Sequence, residues 1–400
     1  MVKRSSSSKT TKPPPRTSTS ASKSAERPAS GSTSGATEQQ SAAATFSPEE
    51  IKAQQKLLNI FSDTFKEVLS DDEFSTVLQR VKQALFNRDF ETAFGNEQFL
   101  EVYVARWSPS RALCYSRILS QITDDLVPLP LATGATDSKS DSDVSFEDEV
   151  EMGRVSPTVD LEEEERETKR GATMRMLAIG GGAAEIMAFG DYLRDTDSNI
   201  AGDLTLLDTG PWAEVVQKLH VGLTTPPPLS KYASTAAKAT NAALIEPATR
   251  LHSTFVQKDV LKLDNTDLSK LLGQTPLLIT MLFTLNELYT SGGIKLTTAF
   301  LRNLSTTIPA GSLLLVVDSP GSYSEAAVGK EAKKYPMQWL LDHTLLQADK
   351  LPPEGCRWEK LKSHDSIWFR LSDGLRYPID LQDMRYQMHL YRATSGPSSN

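Results

Sequence analysis

A glycine triplet and a distant acid are the residues of this chain whose types and spacing could do chemistry. The apolar run 173–179 leads directly into Gly180, Gly181 and Gly182, and Asp208 ends a second apolar run about 28 residues later. Glycines let the backbone turn sharply and approach a ligand closely. An acid at the end of the next strand can accept hydrogen bonds from both hydroxyls of a ribose. This ordered set indicates a nucleotide-type site.

The elements that must position these residues follow from the same stretch. Residues 173–179 predict a buried parallel strand, and residues 183–194 predict a helix because apolar side chains recur there at helical spacing. Residues 204–207 predict the second strand. The resulting βαβ unit places the glycine turn at a helix N-terminus, where free N–H groups favour a carboxylate or phosphate.

Glu185 bears on which ligand this unit holds. A dinucleotide fingerprint ends in Gly or Ala where this chain has Glu185, and a carboxylate there would repel a pyrophosphate. S-adenosylmethionine carries a sulfonium, an ammonium, a carboxylate and a ribose, so it fits these charges better. The pattern favours a methyltransferase, while a dinucleotide enzyme and a glycine turn without a ligand remain open.

Further candidates for contact with the cofactor lie near the ends of the predicted strands. Trp212, four residues after Asp208, could flank an adenine or pack in the core. Asp259 ends the third strand, predicted at 254–260, and could accept a hydrogen bond from an adenine amino group or cap a helix. Val260 and Phe283 complete the predicted cofactor contacts.

The most apolar stretch, 276–285, predicts the central fourth strand and delivers Asn286 and Glu287 at its carboxyl end. An open α/β sheet keeps its chemistry at that end. These two residues are the candidates for catalysis, although either could instead cap the next helix or contact the cofactor.

The rest of the main domain completes a recognisable sheet. The run 313–318 predicts the fifth strand, and 366–371 with 386–391 predicts a terminal antiparallel hairpin. Five strands alternating with helices and a final hairpin are typical of the class I, Rossmann-like methyltransferase sheet of seven strands. A dinucleotide fold would have six parallel strands. The predicted domain spans 172–393, and its long connection 222–247 is expected at the edge where ligands enter.

A small helical domain is predicted at 47–127, before the main domain. Ser47, Pro48 and Glu50 form a capping box with proline at the first helical position. Later helices are predicted at 96–106 and from 108 to about 122.

The junction between these last two helices carries clustered arginines and aromatics. Arg106, Trp107, Arg111 and Tyr115 could stack on RNA bases and clamp the phosphates. The alternative, which we slightly favour, is packing of the helical domain onto the main domain.

Composition limits the remaining possibilities. The chain has a net charge of −8, with a basic Ser/Thr-rich tail at 1–46, an acidic linker at 128–171 and a flexible end at 394–400. No global basic field indicates nucleic acid, so an RNA site would be local. Two distant cysteines, no metal spacing and no long apolar run predict a reduced intracellular protein that is not in a membrane.

Several segments together resemble the fungal 25S ribosomal RNA (uridine-N3)-methyltransferase family. The resemblance covers about 50–127 and 172–393 and rests on segments 106–111, 176–182, 283–289 and 335–343. It implies S-adenosylmethionine as cofactor and a uridine of large-subunit rRNA, free or in a pre-ribosomal particle, as substrate. The expected location is the nucleus or nucleolus, with the cytoplasm as an alternative, and a monomer is the default because the sequence does not indicate the oligomeric state.

The residues agree with methylation at nitrogen. Methylation at carbon 5 of a pyrimidine would need a cysteine nucleophile at a strand end, and neither Cys114 nor Cys356 is there. With the resemblance, Glu287 is expected to accept the N3 proton and Asn286 to hydrogen-bond a uracil carbonyl. A methyltransferase for protein or small molecules, or a non-catalytic assembly factor with this fold, are the rival functions.

Overall fold

The computed structural model describes residues 46–126, 172–321, 323–328, 331–347 and 355–396. The predictions for the acidic linker, for almost all of the basic tail and for most of the flexible end lie outside these residues. Before the sheet, the helices are α1 (Pro48–Thr64), α2 (Lys66–Ser70), α3 (Phe74–Phe86), α4 (Phe90–Phe94), α5 (Glu97–Gln121) and α6 (Thr123–Leu126). The capping box predicted at Ser47 and Glu50 is confirmed.

Helices and strands alternate through the rest of the chain. In chain order they are β1 (Thr173–Ile179), α7 (Ala183–Arg194), β2 (Ala201–Asp208), α8 (Ala213–Thr224), α9 (Thr235–Ala239), β3 (Leu251–Gln257), α10 (Asn265–Leu272), β4 (Leu278–Leu282), α11 (Leu285–Ser291), α12 (Gly293–Thr307), β5 (Leu313–Asp318), β6 (Tyr323–Val328), β7 (Glu331–Pro336), α13 (Met337–Leu345), β8 (Arg357–Phe369) and β9 (Met384–Thr394).

Seven of the strands form one sheet in the order β3-β2-β1-β4-β5-β9-β8. Strands β1 to β5 are parallel, β9 is antiparallel to β5, and β8 is antiparallel to β9. The predicted class I methyltransferase sheet with a terminal hairpin is confirmed. From β1 the chain first adds strands on one side of the sheet, β2 and β3, and then on the other side, beginning with β4. Open α/β sheets bind their ligands at this switch point, between β1 and β4.

The sheet separates two hydrophobic clusters. On one face, α5, α7 and α8 pack on the strands together with the N-terminal helices. On the other face lie α10, α11, α12 and α13. Because the helices before β1 share a continuous cluster with the sheet, they pack as a layer of it; the boundaries of two separate domains stay a prediction.

The prediction of two helices at 96–122 is wrong, since α5 runs unbroken through Pro109. A proline inside a helix leaves the carbonyl four residues earlier without its usual donor. Here that carbonyl belongs to Ala105, and the hydroxyl of Tyr377 donates to it at 2.9 Å. A contact from far along the chain therefore replaces the missing helical hydrogen bond.

Removing that hydroxyl should destabilise the fold. Ala105 is fully buried, so Tyr377→Phe is expected to leave its carbonyl unsatisfied and to lower the free energy of unfolding by about 1–3 kcal/mol. Urea denaturation would measure the change. Tyr232→Phe is the matched control, because the Tyr232 side chain is exposed. Equal stability of the Tyr377 variant would show that the proline is accommodated in another way.

Three strand predictions need correction, those of β3, β4 and β8. β3 ends at Gln257, three residues before the predicted end at 260, because Asp259 caps the 3-10 turn that follows. β4 is shorter than the predicted 276–285, because the chain already enters α11 at Leu285. β8 begins at Arg357, nine residues before the predicted 366, and the hairpin β6–β7 was not predicted. The early part of β8 is an exposed edge with irregular register at Lys360/Lys362 and His364/Ile367, so its polar side chains show no alternation.

The connection between α8 and β3 lies at the amino ends of the strands, whereas the sequence analysis expects it at the carboxyl ends, where ligands enter. Helix α8 returns across the sheet, and the following residues lead to the amino end of β3, which is parallel to β2. The glycine turn lies at the carboxyl ends, so this connection does not flank it. Within the described ranges, no helix combines the length and apolar character needed to span a membrane.

Candidate active site

The glycine turn is built by two close approaches. Gly180 has a φ of +69°, and a Cβ added there would lie 2.3 Å from Oγ1 of Thr284. A Cβ on Gly182 would lie 2.6 Å from the indole ring of Trp212. Only glycine allows the chain to leave β1, turn and enter α7 in this space. Gly181 lies between them and is buried.

A cavity of about 430 Å³ opens beside this turn, at the carboxyl ends of β1, β2 and β4. Its size is typical of small-molecule sites. Among the predicted site residues, the following line the cavity: Gly180, Gly182, Glu185, Asp208, Trp212, Asp259, Val260, Phe283, Glu287 and Arg111. The structure therefore brings most of the predicted site residues together around one cavity, including one residue that the sequence analysis assigned to an RNA clamp.

Asp208 stands at the end of β2, as predicted. Its Oδ1 accepts a hydrogen bond of 2.7 Å from the backbone N–H of Gly210. Burial raises the pKa of Asp208 to about 6, although the Gly210 and Trp212 N–H groups favour its charged form. A carboxylate in this position is suited to accept hydrogen bonds from ribose hydroxyls.

Glu185 closes the first turn of α7 and also lines the cavity. Its Oε2 accepts a hydrogen bond of 2.8 Å from the backbone N–H of Gly182, and its side chain is buried. Burial raises the pKa of Glu185 to about 7, against the opposing effects of this hydrogen bond and of the Arg111 charge. The residue thus helps to shape the glycine turn and adds negative charge beneath it.

Glu287 lies in the first turn of α11, just past β4. Burial raises the pKa of Glu287 to about 7, with Arg111 acting against the increase and Asp318 adding to it. Asn286 is next to it, but its side chain is not among the residues that line the cavity. Its backbone N–H donates to Oδ2 of Asp318 at 3.0 Å, and its Oδ1 is buried without a hydrogen-bond partner among the described residues.

Arg111 reaches the cavity from α5 and is held between two rings. Its guanidinium carbon is 5.5 Å from the ring centroids of both Tyr103 and Phe283, and it donates a hydrogen bond to the Tyr103 hydroxyl. Burial works against its charge, but the surrounding tyrosines and carboxylates raise its pKa above the ordinary value. Arg111 is therefore a fixed cation inside the cavity.

Phe283 adopts a strained backbone conformation at this point. Its φ is +60°, which is costly for a bulky residue, by about 1–3 kcal/mol. The backbone N–H of Phe283 donates to the Val317 carbonyl at 2.7 Å, and the ring stacks on Tyr115 with centroids 6.3 Å apart. Such strain persists where the surrounding structure enforces it, and here it turns Phe283 beneath Arg111.

For Trp212 and Asp259, the sequence left open a structural role or a contact with the cofactor, and the structure is compatible with both roles. Trp212 is 7% exposed and packs against Phe94 and Tyr103, yet its ring also lines the cavity. Asp259 caps a 3-10 turn by accepting from Leu261 N–H at 3.0 Å, while its side chain stays at the cavity wall. Structural and ligand-contacting roles are compatible at both positions.

The predicted RNA clamp is divided by the structure. Tyr115 is 1% exposed and faces Phe283, so its ring presents no surface to RNA in this conformation. Trp107 packs against the core, and its ring centroid lies 5.1 Å from that of Tyr103. The guanidinium carbon of Arg106 lies 5.8 Å from the centroid of the Trp107 ring. RNA contact by Arg106 and Trp107 stays a prediction.

The sequence interpretation missed the aromatic wall of the cavity. Phe90 and Phe94 of α4 stack with centroids 6.3 Å apart, and Phe94 meets Tyr103 edge to face at 4.8 Å. Their i, i+4 spacing after Asp89, which caps α4, was the available signal. It could not be interpreted because nothing local shows that α4 folds over the carboxyl ends of the strands.

The charges of the side chains that line the cavity indicate which cofactor it can bind. Asp208, Glu185 and Glu287 all have pKa values raised by burial, so their charged forms lack compensation that a cation would supply. A pyrophosphate would add negative charge to this set. A sulfonium with an ammonium group would balance that negative charge. The residues fit S-adenosylmethionine.

Comparison with known proteins gives the same answer. Residues 61–392 match the model of a family described as "Putative SAM-dependent methyltransferase". The chain belongs to this methyltransferase family. S-adenosyl-L-methionine is therefore its methyl donor, as the glycine turn and the acids predicted.

One relative of this methyltransferase has a named reaction. The 25S rRNA (uridine(2843)-N(3))-methyltransferase of Saccharomyces cerevisiae is 30% identical over 365 residues, covering 84% of this chain and 85% of the relative. The resemblance inferred from the sequence motifs is confirmed.

Solved structures add only distant similarities. A methyltransferase from Methanosarcina mazei is 11% identical with a TM-score of 0.31, covering 55% of this chain and 92% of its own. An O-methyltransferase family protein from Burkholderia thailandensis is 12% identical with a TM-score of 0.30, covering 56% and 52%. Similarities of this size carry no argument about the reaction.

Replacement of Asp208, the predicted ribose-binding acid, should weaken the binding of S-adenosylmethionine to the methyltransferase. Asp208→Ala is expected to lower the affinity for S-adenosylmethionine by about 10- to 100-fold, as for the loss of charged hydrogen bonds worth about 1.5–3 kcal/mol. Titration calorimetry would measure it. Asp203→Ala is the matched control, because Asp203 is on the same strand but outside the cavity. Equal affinities of wild type and Asp208→Ala would remove Asp208 from the site.

Proposed function

We propose that this methyltransferase transfers the methyl group of S-adenosylmethionine to N3 of one uridine in large-subunit ribosomal RNA. The observation that carries the proposal is the presence of Glu287 and Arg111 in one cavity with the cofactor-binding acids. The named activity of the yeast relative supports the same reaction.

The acceptor explains what the site must do. N3 of uracil carries a proton as a weakly acidic imide and is covered by Watson–Crick pairing. The base must therefore be unpaired or flipped before it can react. A nitrogen lone pair becomes available only when the proton leaves, so the site needs a proton acceptor and a group that stabilises the resulting negative charge.

Glu287 and Arg111 have the properties required for these two tasks. A carboxylate with a pKa near 7 is matched to accept a proton at neutral pH. The fixed guanidinium of Arg111 favours negative charge on the uracil carbonyl oxygens. The side-chain N–H of Asn286 is proposed to donate to a uracil carbonyl, which requires this amide to turn toward the cavity that it does not line in this conformation. When bound, the cofactor supplies an electrophilic methyl on a positively charged sulfur.

Positioning supplies the rest of the catalysis. A direct transfer needs the nitrogen lone pair and the methyl carbon in line, and holding two reactants in such geometry can lower the barrier by about 7–11 kcal/mol. Gly180, Asp208 and Trp212 fix one reactant, while the wall formed by Phe90, Phe94 and Tyr103 encloses the space for the other.

The cysteines do not support methylation at carbon 5. Cys114 is 1% exposed on α5, and burial raises the pKa of its thiol. Cys356 donates a hydrogen bond to the Ile308 carbonyl at 3.2 Å. Neither lines the cavity, so neither is positioned as the nucleophile that this reaction requires.

Nucleoside mass spectrometry of large-subunit rRNA tests the proposal. Cells lacking the protein should lose 3-methyluridine, and the wild-type gene, but not Asp208→Ala, should restore it. Unchanged 3-methyluridine in the deletion would refute the proposed substrate. If Asp208→Ala restored normal growth and ribosome assembly, a non-catalytic assembly role would be favoured instead.

The proposal extends to location and partners. An enzyme acting on large-subunit rRNA is expected to meet it in a pre-ribosomal particle, and therefore in the nucleolus. We also propose that the protein acts as a monomer. Fluorescence microscopy and sedimentation with pre-ribosomal particles would test both statements.

A further inference from the structure

An exposed aromatic and two arginines form a cluster on the terminal hairpin that the cavity does not use. Trp368 of β8 is 45% exposed and pairs across the strands with Arg385 of β9. The guanidinium carbon of Arg370 is 4.0 Å from the centroid of the Trp368 ring, and that of Arg385 is 5.6 Å away. We name Trp368, Arg370 and Arg385 the hairpin cluster.

The hairpin cluster lies on the same side of the sheet as the cavity, at the carboxyl ends of the parallel strands. Asp318, the last residue of β5, pairs with Gln387 of the antiparallel β9. Arg385 precedes Gln387 by two residues, so it lies just beyond the carboxyl end of β5.

Hydrogen bonds connect this end of β9 to the end of β5, and the end of β5 to the start of α11. The side-chain N–H of Gln387 donates to the Ser319 carbonyl at 2.7 Å. The backbone N–H of Asn286 donates to Asp318 at 3.0 Å. The hairpin cluster is therefore tied to the segment that carries Glu287.

The positive charge offered to an anionic partner is that of the two arginines themselves. The segment 365–387 around them contains three arginines against four aspartates, so the surrounding residues add no net positive charge. Asp383 pairs with Arg370 at 2.6 Å, but the Arg370 side chain remains 51% exposed. The Nε of Arg385 donates to the neutral hydroxyl of Ser366 at 2.8 Å, which leaves the charge of Arg385 in place.

We propose that the hairpin cluster binds single-stranded RNA next to the target uridine. Arginine planes and an indole ring stack on bases of any sequence, and the guanidinium groups also neutralise phosphates. The inference rests on the proposed function, because a reaction on an unpaired base leaves unpaired nucleotides beside it. The cavity and the hairpin cluster both lie at the carboxyl ends of the parallel strands, so the cluster is on the same side of the molecule as the cavity and these nucleotides.

Binding of a labelled oligouridylate of about 12 nucleotides to the full chain tests this inference by fluorescence anisotropy. Trp368→Leu and Arg385→Gln should each weaken binding roughly fivefold or more. Arg385→Gln should also reduce the salt dependence of the logarithm of affinity by about 0.7. Trp368→Phe and Arg385→Lys should recover most of the loss.

Tyr232→Leu is the matched control. Tyr232 is 83% exposed and has the Nζ of Lys231 5.1 Å from its ring centroid, but it lies in the connection that leads to the amino end of β3. It should bind oligouridylate as the wild type does. Thermal melting of every variant checks that the fold is kept.

The outcomes separate the inference from the proposed function. If the wild type binds oligouridylate and both cluster variants bind it equally well, the inference is overturned while the proposed function stands. An equal loss in Tyr232→Leu would also overturn it. A wild type that binds no oligouridylate overturns the inference as well, and 3-methyluridine levels then decide separately on the proposed function. Loss of association with pre-ribosomal particles alone would indicate a protein partner instead.

Discussion

Replacing Glu287 by glutamine is expected to slow methyl transfer about a hundredfold and to change the affinity for S-adenosylmethionine by no more than a few-fold. General-base catalysis typically contributes about 10²–10⁴-fold, and glutamine cannot accept the N3 proton. The substitution keeps the size of the side chain, so the cavity should keep its shape. Single-turnover transfer to rRNA and calorimetric cofactor binding would measure the two effects.

The pH dependence gives a sharper test of the same role. Burial raises the pKa of Glu287 to about 7, so its proton-accepting form becomes populated as the pH rises through 7. The wild-type rate at saturating cofactor should therefore fall on the acidic side of about pH 7. This limb, which levels off above about pH 7, should be absent from Glu287→Gln, whose remaining rate should instead keep rising with pH as uracil itself loses the N3 proton.

Glu185→Gln is the matched comparison, since burial raises the pKa of Glu185 to about 7 as well. We expect it to weaken cofactor binding and to keep the acidic limb once cofactor is saturating. If Glu287→Gln turned over at the wild-type rate, or kept the limb, another group would have to accept the proton.

The parts of this site that the sequence predicted are those that local patterns encode. The run 173–179 is mostly apolar, glycines follow it and a helical repeat begins at 183, so β1, the turn and α7 could be placed almost to the residue. Asp208 followed from the order of elements in a βαβ unit. Glu287 followed from the rule that catalytic residues lie at the carboxyl ends of parallel strands.

The parts that the sequence interpretation missed depend on contacts between distant segments. Pro109 indicates a helix boundary to any local interpretation, and only the hydroxyl of Tyr377, from a much later segment, shows why α5 continues. The early part of β8 is polar because it is an exposed edge. The sequence alone places Arg111 near the start of a predicted helix, as part of an RNA clamp, and only the course of α5 over the strand ends brings it to the cavity.

Arg111→Gln is expected to lower the rate of methyl transfer at neutral pH by about 10²–10³-fold, the usual loss when a donor to a developing negative charge is removed. The affinity for RNA should change little, because Arg111 lies inside the cavity, half-buried, and is held by Tyr103. Arg117→Gln is the matched control. Arg117 is on the same helix but is exposed, where it pairs with Glu50 at 3.4 Å.

The deficit of the Arg111 variant should also depend on pH in a particular direction. A positive charge beside uracil favours the form without the N3 proton, so its loss matters most where that form is scarce. As the pH rises, more uracil loses the proton without help, and the rates of wild type and Arg111→Gln should converge. A residue that only docked RNA would instead raise the RNA concentration needed for half-maximal rate, equally at every pH. Arg111→Lys, which keeps a charge but loses the fork geometry, should lie between the two.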